Sequence, residues 1–386
     1  MKLRLLDFLV CPISHTELKI KIWEEKNNNL SEESLNRIKD LSLSAELFER
    51  EIITGVLINE EKKIYYPIYQ GVPRLLTYNC GVFEDFKTVY NSRIEKELKS
   101  YSTPTLTIPL GENSVIRSFS KEWLNYDWNP EKYWRMNSNV MYEAMRFMLD
   151  LENKKISNKS VLEIGIGIGG LANSFAKNEN CELVGVDLGY AVDGAYKNFH
   201  NNLFLHIVQA SAFNLPFKDF TFDYVYSHGV LHHSSDPKQC FYNVCKLTKL
   251  NGFLYVWLYS DTSENRNFLR RLIMIMEKVL RPIIWPLPSV VQNIALFPLS
   301  ILYIIHQNFI LANKDADMVN FSWREAFHAA RDRFTPRYAF RYSEKELAEW
   351  FIANGYSNLI YSSKRQTPNY VTQEFCLATA IIGQKK

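Results

Sequence analysis

Val161-Leu162-Glu163-Ile164-Gly165-Ile166-Gly167-Ile168-Gly169-Gly170 is the stretch that decides how this chain folds. An apolar run ends in an acid. A glycine follows two positions later, and glycines then alternate. The pattern reads as a buried strand that breaks into a glycine loop, with a helix starting at Leu171. Such a loop lets bare backbone approach a ligand. Its N–H groups, with the helix N-terminus, favour negative charge there. The expected architecture is doubly wound α/β, with a nucleotide-type ligand at the loop.

Working outward, strands and helices alternate from Ser160 onward, as a parallel sheet requires. Val161–Ile164 is strand one and Leu171–Lys177 its helix. Glu182–Val186 is strand two, ending at Asp187. Phe204–Gln209 and Phe222–Ser227 are strands three and four. Pro237–Leu247 is a helix and Phe253–Tyr259 strand five. Residues 262–342 then interrupt the pattern as an insertion. In it Arg270, Arg271, Lys278 and Arg281 flank an apolar stretch from Ile283 to Leu311, broken by Pro286, Pro288 and Pro298. No uninterrupted run there reaches the ~20 apolar residues of a spanning helix. The pattern resumes at Ser343, an N-cap followed by acids in the first turn. Ser357–Ser362 and Glu374–Gly383 read as two closing strands.

Residues 1–79 read as a small separate module. It holds a short helix or turn over Leu5–Val10, a strand over Leu18–Trp23 and a polar helical excursion over 31–51. A strand pair, Gly55–Ile58 and Lys63–Ile68, and a turn at Gln70–Pro73 complete it. Residues 80–150 are a linker with helices. It is rich in aromatics (Phe119, Trp123, Tyr126, Trp128, Tyr133, Trp134) and ends in a helix at about Asn139–Leu151. The aromatics suit packing between domains, or a lid over a planar group. The core occupies 151–261 and 343–386.

The 386 residues are 47% hydrophobic and 23% charged, with a formal net charge of only +3, so no strong polyanion partner is implied. The six cysteines (Cys11, Cys80, Cys181, Cys240, Cys245 and Cys376) form no CxxC pair, which suits a reducing cytoplasm. The apolar part of Met1–Cys11 is too short for a signal peptide, and Asp7 interrupts it.

Gly165, Gly167 and Gly170 satisfy G-x-G-x-x-G, and Asp187 lies about 20 residues on, so a nicotinamide-dependent oxidoreductase stays open at this point. Three further features add to the motif. Glu163 precedes the first glycine by two residues. "QASAFNLPF" (Gln209–Phe217) leads into "FDYVYSHGVLHH" (Phe222–His233). "LTKLNGFLYVW" (Leu247–Trp257) closes the series. In that order the chain resembles the class I S-adenosylmethionine-dependent methyltransferases over about 155–262 and 343–383. "LLDFLVCP" (Leu5–Pro12) and "YYPIYQGVPRLL" (Tyr65–Leu76) resemble the small zinc-ribbon-like module that activates tRNA and release-factor methyltransferases. Ser14 stands where a second metal-binding cysteine would fall, so the module is expected to lack metal.

The resemblance implies a Rossmann-like, mostly parallel seven-stranded sheet with an antiparallel last strand, plus the small N-terminal α+β module and a helical insertion at 262–342 that serves as substrate lid. It implies S-adenosyl-L-methionine as cofactor. Glu163 would hold the methionine amino group, and Gly165, Gly167 and Gly169 would let the loop touch the cofactor. Asp187 would accept the ribose hydroxyls, with Leu188 on adenine and Ser211 and Ala212 beside the adenine amine. His228 would border sulfonium and substrate. His228, His232 and His233 are candidate general bases by their pKa range. No acidic cluster has metal-ligand spacing, so the expected transfer is metal-independent. The expected activity is O-methylation of a small-molecule or glycan- or lipid-linked acceptor, in the cytoplasm, with peripheral membrane contact through 270–311 as one option. A tRNA-modifying methyltransferase and a non-catalytic binding module are the alternatives. The near-neutral charge weighs against nucleic acid. Arg333, Arg337 and Arg341 read as solvated, or as contacts for an anionic substrate.

Overall fold

The computed structural model describes residues 1–124, 137–261, 268–305, 322–366, 368 and 378–386, with backbone alone at 121–124 and 268–273. Trp123 (side chain), Tyr126, Trp128, Tyr133, Trp134, Arg270 and Arg271 (side chains), residues 306–311, Glu374 and Cys376 therefore lie outside the described set.

The described strands form two sheets. The first is an antiparallel meander of β1 (Lys19–Asn27), β2 (Arg50–Asn59), β3 (Ile64–Tyr69) and β4 (Val72–Pro73). A 3-10 turn, Leu3–Asp7, precedes it. Helices α1 (Glu32–Asp40) and α2 (Glu46–Glu49) fill the polar excursion between β1 and β2, and α3 (Gly81–Glu97) follows β4. Strand β2 begins at Arg50, five residues before the expected Gly55, because it stays paired to β1 out to Asn27↔Arg50. Its Ile52, Val56 and Leu57 are fully buried.

The second sheet has seven strands: β5 (Ser160–Ile164), β6 (Glu182–Asp187), β7 (Leu205–Gln209), β8 (Phe222–His228), β9 (Thr248–Leu258), β10 (Tyr356–Tyr361) and β11 (Thr379–Lys385). Their order is β10-β11-β9-β8-β5-β6-β7. Strands β5, β6 and β7 run parallel, and β11 is antiparallel to both neighbours. This is the doubly wound sheet with an antiparallel last strand that the sequence implied. The order reverses on either side of β5, the place where such sheets take ligands. Strand β9 starts at Thr248, earlier than Phe253. A Cβ at Gly252 would lie 2.8 Å from the Asp223 carbonyl oxygen, so only glycine lets the strand pass there. The other helices are α4 (Glu112–Leu124), α5 (Ser138–Met148), α6 (Gly170–Asn178), α7 (Ala191–Phe199), α8 (Pro237–Cys245), α9 (Phe268–Ile284), α10 (Ser289–Ile305), α11 (Trp323–Phe334) and α12 (Glu344–Ala353). Ser343 caps α12 in a capping box with Glu346.

The chain divides into two compact units, 1–109 with 156–225 and 243–252, and 110–155 with 226–242 and 253–386. In the first, the N-terminal meander docks on β7 and α7. Arg74 bridges in parallel to Gln209, and the Leu75 N–H donates to the Gln209 carbonyl at 2.8 Å. Arg4 grips Glu182 with two donors (2.9 and 2.8 Å), and His206 Nε2 lies 3.0 Å from the same carboxylate. Burial alone would push Glu182 up. Its bonds to His206 and Arg4 outweigh that and hold it at about 2. The Tyr196 hydroxyl donates to Glu51 at 3.0 Å, and Gly71, at φ +79°, has no Cβ to collide with the Tyr196 ring. Buried charge at this junction is matched, as it must be to be tolerated.

In the second unit, Ile284, Leu296, Leu299, Ala330 and Phe334 form the core of the α9–α10–α11 insertion. Beside it, buried Glu277 takes Arg333 at 2.6 Å and Arg341 at 2.5 Å, and the Arg281 Nε donates to the Arg333 carbonyl at 2.8 Å. Arg333 and Arg341 are thus ion-paired. The solvated role does not describe them, because a carboxylate buried on the inner face of α9 needs cations around it. Arg337 lies over the Trp285 and Tyr338 rings.

Candidate functional site

Parallel pairing sets Glu163 opposite Gly185 and Ile164 opposite Val186, so the loop after β5 emerges beside Asp187. Gly165, Gly167 and Gly169 all have positive φ (88°, 53° and 81°), conformations that side chains resist. The Gly165 N–H donates to the Val186 carbonyl at 2.7 Å. A Cβ on Gly169 would press on Ala195 and Phe199, at 3.0 and 3.1 Å, so this glycine also lets α6 pack on α7. Gly185 leaves room for the Ile166 side chain, which seats the loop on β6.

Asp187 closes the cradle. One carboxylate oxygen accepts the Gly167 N–H at 3.0 Å and the other the Gly189 N–H at 2.9 Å. Burial pushes this carboxyl up, against the pull of the backbone N–H groups of Gly189, Gly167 and Leu188. A carboxylate has about four acceptor positions, and these backbone bonds do not fill them all. Asp187 and Leu188 are half-buried, and Glu163 at the end of β5 is buried. The donor set therefore fits a nucleoside with a cationic amino-acid tail. Glycines allow close approach, one carboxylate suits ribose hydroxyls, and another suits an ammonium.

Ser211 sits in the turn that follows β7. It is buried, and its hydroxyl accepts the Phe213 N–H at 3.0 Å in a tight turn after β7. The Asn243 side chain donates to the Ala212 and Phe213 carbonyls at 3.3 and 2.8 Å, fixing this loop.

One contributor escaped sequence reasoning. Arg74, fully buried, donates to Gln209 Oε1 at 3.1 Å and pairs with Asp193 on α7. Gln209 in turn donates to the Leu188 carbonyl at 2.9 Å. An arginine of the N-terminal module thus braces the turn that carries Asp187. The "GVPRLL" string held it, but nothing in the sequence marked its partner.

The three histidines lie in the second unit. His228 ends β8 half-buried, its ring 4.8 Å from Trp257 and its Nδ1 3.3 Å from the Tyr255 hydroxyl. Burial pushes it down to about 3. His232 is fully buried, stacked on Tyr259 at 3.9 Å, and neither ring nitrogen has a hydrogen-bond partner. Burial, then the charges of His233 and Arg341, hold it well below its ordinary value. His233 Nδ1 lies 2.9 Å from the Tyr338 carbonyl, and the Tyr259 hydroxyl donates to Asp332 at 2.7 Å. In the N-terminal module Ser14 Oγ lies 2.7 Å from Thr16 Oγ1, and the Cys11 thiol lies 3.3 Å from the Tyr66 hydroxyl. Among the described residues no three His, Cys, Asp or Glu side chains gather as a metal set.

Comparison with known families matches residues 162–256 to the methyltransferase domain and residues 2–71 to the Trm112p-like protein family. Sterol 24-C-methyltransferase ERG6A of Gibberella zeae is 28% identical over 122 residues, 30% of this chain and 32% of the relative. The chain spans about a third or less of the length of the curated relatives it matches. Among solved structures, Haemonchus contortus phosphoethanolamine N-methyltransferase 2, in complex with phosphomonomethylethanolamine and S-adenosylhomocysteine, aligns at TM-score 0.43 with 13% identity, over 73% of this chain and 62% of that one. A chain of the complex between the Haloferax volcanii Trm112 methyltransferase activator and a candidate methyltransferase aligns at TM-score 0.36 with 13% identity, over 64% and 91%. The matched stretch 162–256 covers β5 to β9, with the glycine loop, Asp187 and His228 inside it. The chain joins a methyltransferase domain to an N-terminal Trm112p-like module.

Proposed function

We propose that the protein transfers a methyl group from S-adenosyl-L-methionine, without a metal, to an oxygen of a small or lipid-linked acceptor. The observation that carries the reading is the Asp187 carboxylate, which ties Gly167 to Gly189 and keeps acceptor capacity for a ribose. When bound, the cofactor supplies a methyl group on a cationic sulfur, an electrophile that needs chiefly an aligned nucleophile. Glu163 meets the ammonium end and Asp187 the sugar. Arg74 and Gln209 keep the Leu188 turn in place. His228 is the histidine assigned to the acceptor, because it ends β8 and is partly exposed. With a pKa of about 3 it is neutral at pH 7, so it orients an acceptor hydroxyl as a hydrogen-bond acceptor and does not store a proton. His232, sealed without partners, is assigned to packing.

Titration calorimetry of the full chain with S-adenosylhomocysteine and with NADH tests the cofactor. Binding of the first alone is expected. Tight NADH binding without affinity for S-adenosylhomocysteine would refute the reading. Transfer of labelled methyl to candidate acceptors in the presence of chelator tests the metal-free oxygen chemistry.

A further inference from the structure

Helix α10 carries apolar side chains on both its inner and its outer face. Its inner face packs in the insertion core through Leu296 and Leu299, with Tyr303 against it. Its outer face carries Val290, Ile294, Phe297, Ile301 and Ile305. These recur three or four residues apart and so share one stripe. They face solvent, Val290 at 71% and Ile294 at 69% exposure. Helix α9 carries a second outward stripe of Ile275, Val279 and Ile283, each more than half exposed at four-residue steps. Soluble helices hide one apolar face and wet the other. An outward apolar patch of this extent marks an interaction surface.

Charge decides what covers it. Helix α10 has no charged residue. The exposed charges bordering the stripe are Lys278 on α9 and Arg324 at the start of α11, both cationic. The nearby acids face inward. Glu277 is buried with Arg333 and Arg341, and Glu325 is buried in the capping box with Ser322. Apolar ridges beside exposed cations, with no exposed carboxylate on α9, α10 or α11 among the described residues, complement an anionic lipid surface. A second copy of the chain would set these cations against themselves, a like-charge contact that costs affinity. No helix among the described residues is long and apolar enough to cross a membrane.

We propose that the outward apolar faces of α9 and α10 dock on an anionic membrane, and that the acceptor is drawn from that surface. The docking stands on these faces alone; the choice of a membrane-borne acceptor rests on the methyltransferase reading. The test is flotation of the full chain with vesicles of phosphatidylcholine, alone or mixed with phosphatidylglycerol. Strong binding to the mixed vesicles, weakened by salt, is expected. Ile294→Glu with Phe297→Glu, both at exposed positions, should weaken binding about tenfold or more with the circular dichroism spectrum unchanged. Lys278→Glu should weaken binding to the anionic vesicles alone, by roughly fivefold. The proposal is overturned if the parent chain ignores both vesicles, or if the double variant floats as the parent does. A dimer seen by light scattering that the double variant abolishes, with vesicles ignored, would equally overturn it and assign the face to a second copy. S-adenosylhomocysteine titration of the same variants separates the two claims. Unchanged affinity with lost flotation isolates docking, whereas flotation without cofactor affinity would sink the methyltransferase reading and leave docking in place.

Discussion

Asp187→Asn is the substitution with the clearest arithmetic. The carboxylate accepts one backbone N–H on each oxygen, from Gly167 and from Gly189. Asparagine keeps one acceptor and turns an amide NH2 toward the other N–H, so donor faces donor. The glycine loop loses a tie, and a bound ribose loses a charged acceptor. Hydrogen bonds to a charged group contribute about 1.5 kcal/mol each at the low end, and Asp187 is only half-buried, so the low end applies. Two ribose hydroxyls give about 3 kcal/mol, or roughly a 100-fold rise in Kd. Calorimetry with S-adenosylhomocysteine reads this directly. Ser211→Ala is the matched control. Its hydroxyl is committed to the Phe213 N–H, so its removal should move Kd less than about fivefold. If Asp187→Asn, folded by circular dichroism, binds within about fivefold of the parent, the cradle is not a ribose site and the cofactor assignment built on it fails.

Five further outcomes follow from the geometry. Arg74→Met should weaken S-adenosylhomocysteine binding about tenfold in calorimetry, although Arg74 belongs to the N-terminal module, because Gln209 loses the donor that orients it toward Leu188. Acid should destabilise the first unit in two stages. His206 is held below its usual range by burial, so its contribution fades as pH falls below about 6.5. Glu182 is depressed from 4.5 to about 2, so the roughly 3 kcal/mol it contributes is whole above pH 4.5 and is lost as pH falls toward 2; Glu182→Gln should flatten that lower stage in thermal melts. Gly71→Ala should cost about 2–4 kcal/mol in urea denaturation, from positive φ and from a methyl driven into the Tyr196 ring. His232→Phe should leave stability equal or higher and kcat within about threefold, because no ring nitrogen loses a partner. His228→Ala should lower kcat, and the parent pH profile should stay flat from pH 6 to 8.

The sheet was legible because its signal is local. Buried parallel strands are continuous apolar runs, and the alternating glycines announce the loop between β5 and α6. The positions of Glu163 and Asp187 at the ends of adjacent strands followed from the same pattern. What escaped was non-local pairing. Arg333 and Arg341 looked like surface cations because Glu277 lies far away in sequence, and only the fold of α9 against α11 sets it between them. The turn bond that Ser211 accepts from Phe213, two positions on, also had no mark in the sequence. Arg74 lies 135 positions before Gln209. The outward ridge of α10 was hidden for a related reason: an apolar run states how much hydrophobic surface exists, but not which side of it the protein covers.

Strand β7 is the last strand of its sheet, and its outer edge is met by Arg74 and Leu75 of the preceding module. An open edge strand is a template for pairing with strangers. Here the cover is tethered to what it covers, so dilution cannot separate them, and the cap is held at the high local concentration that a covalent link confers. A methyltransferase domain cut free of its first hundred residues would meet its neighbours edge first.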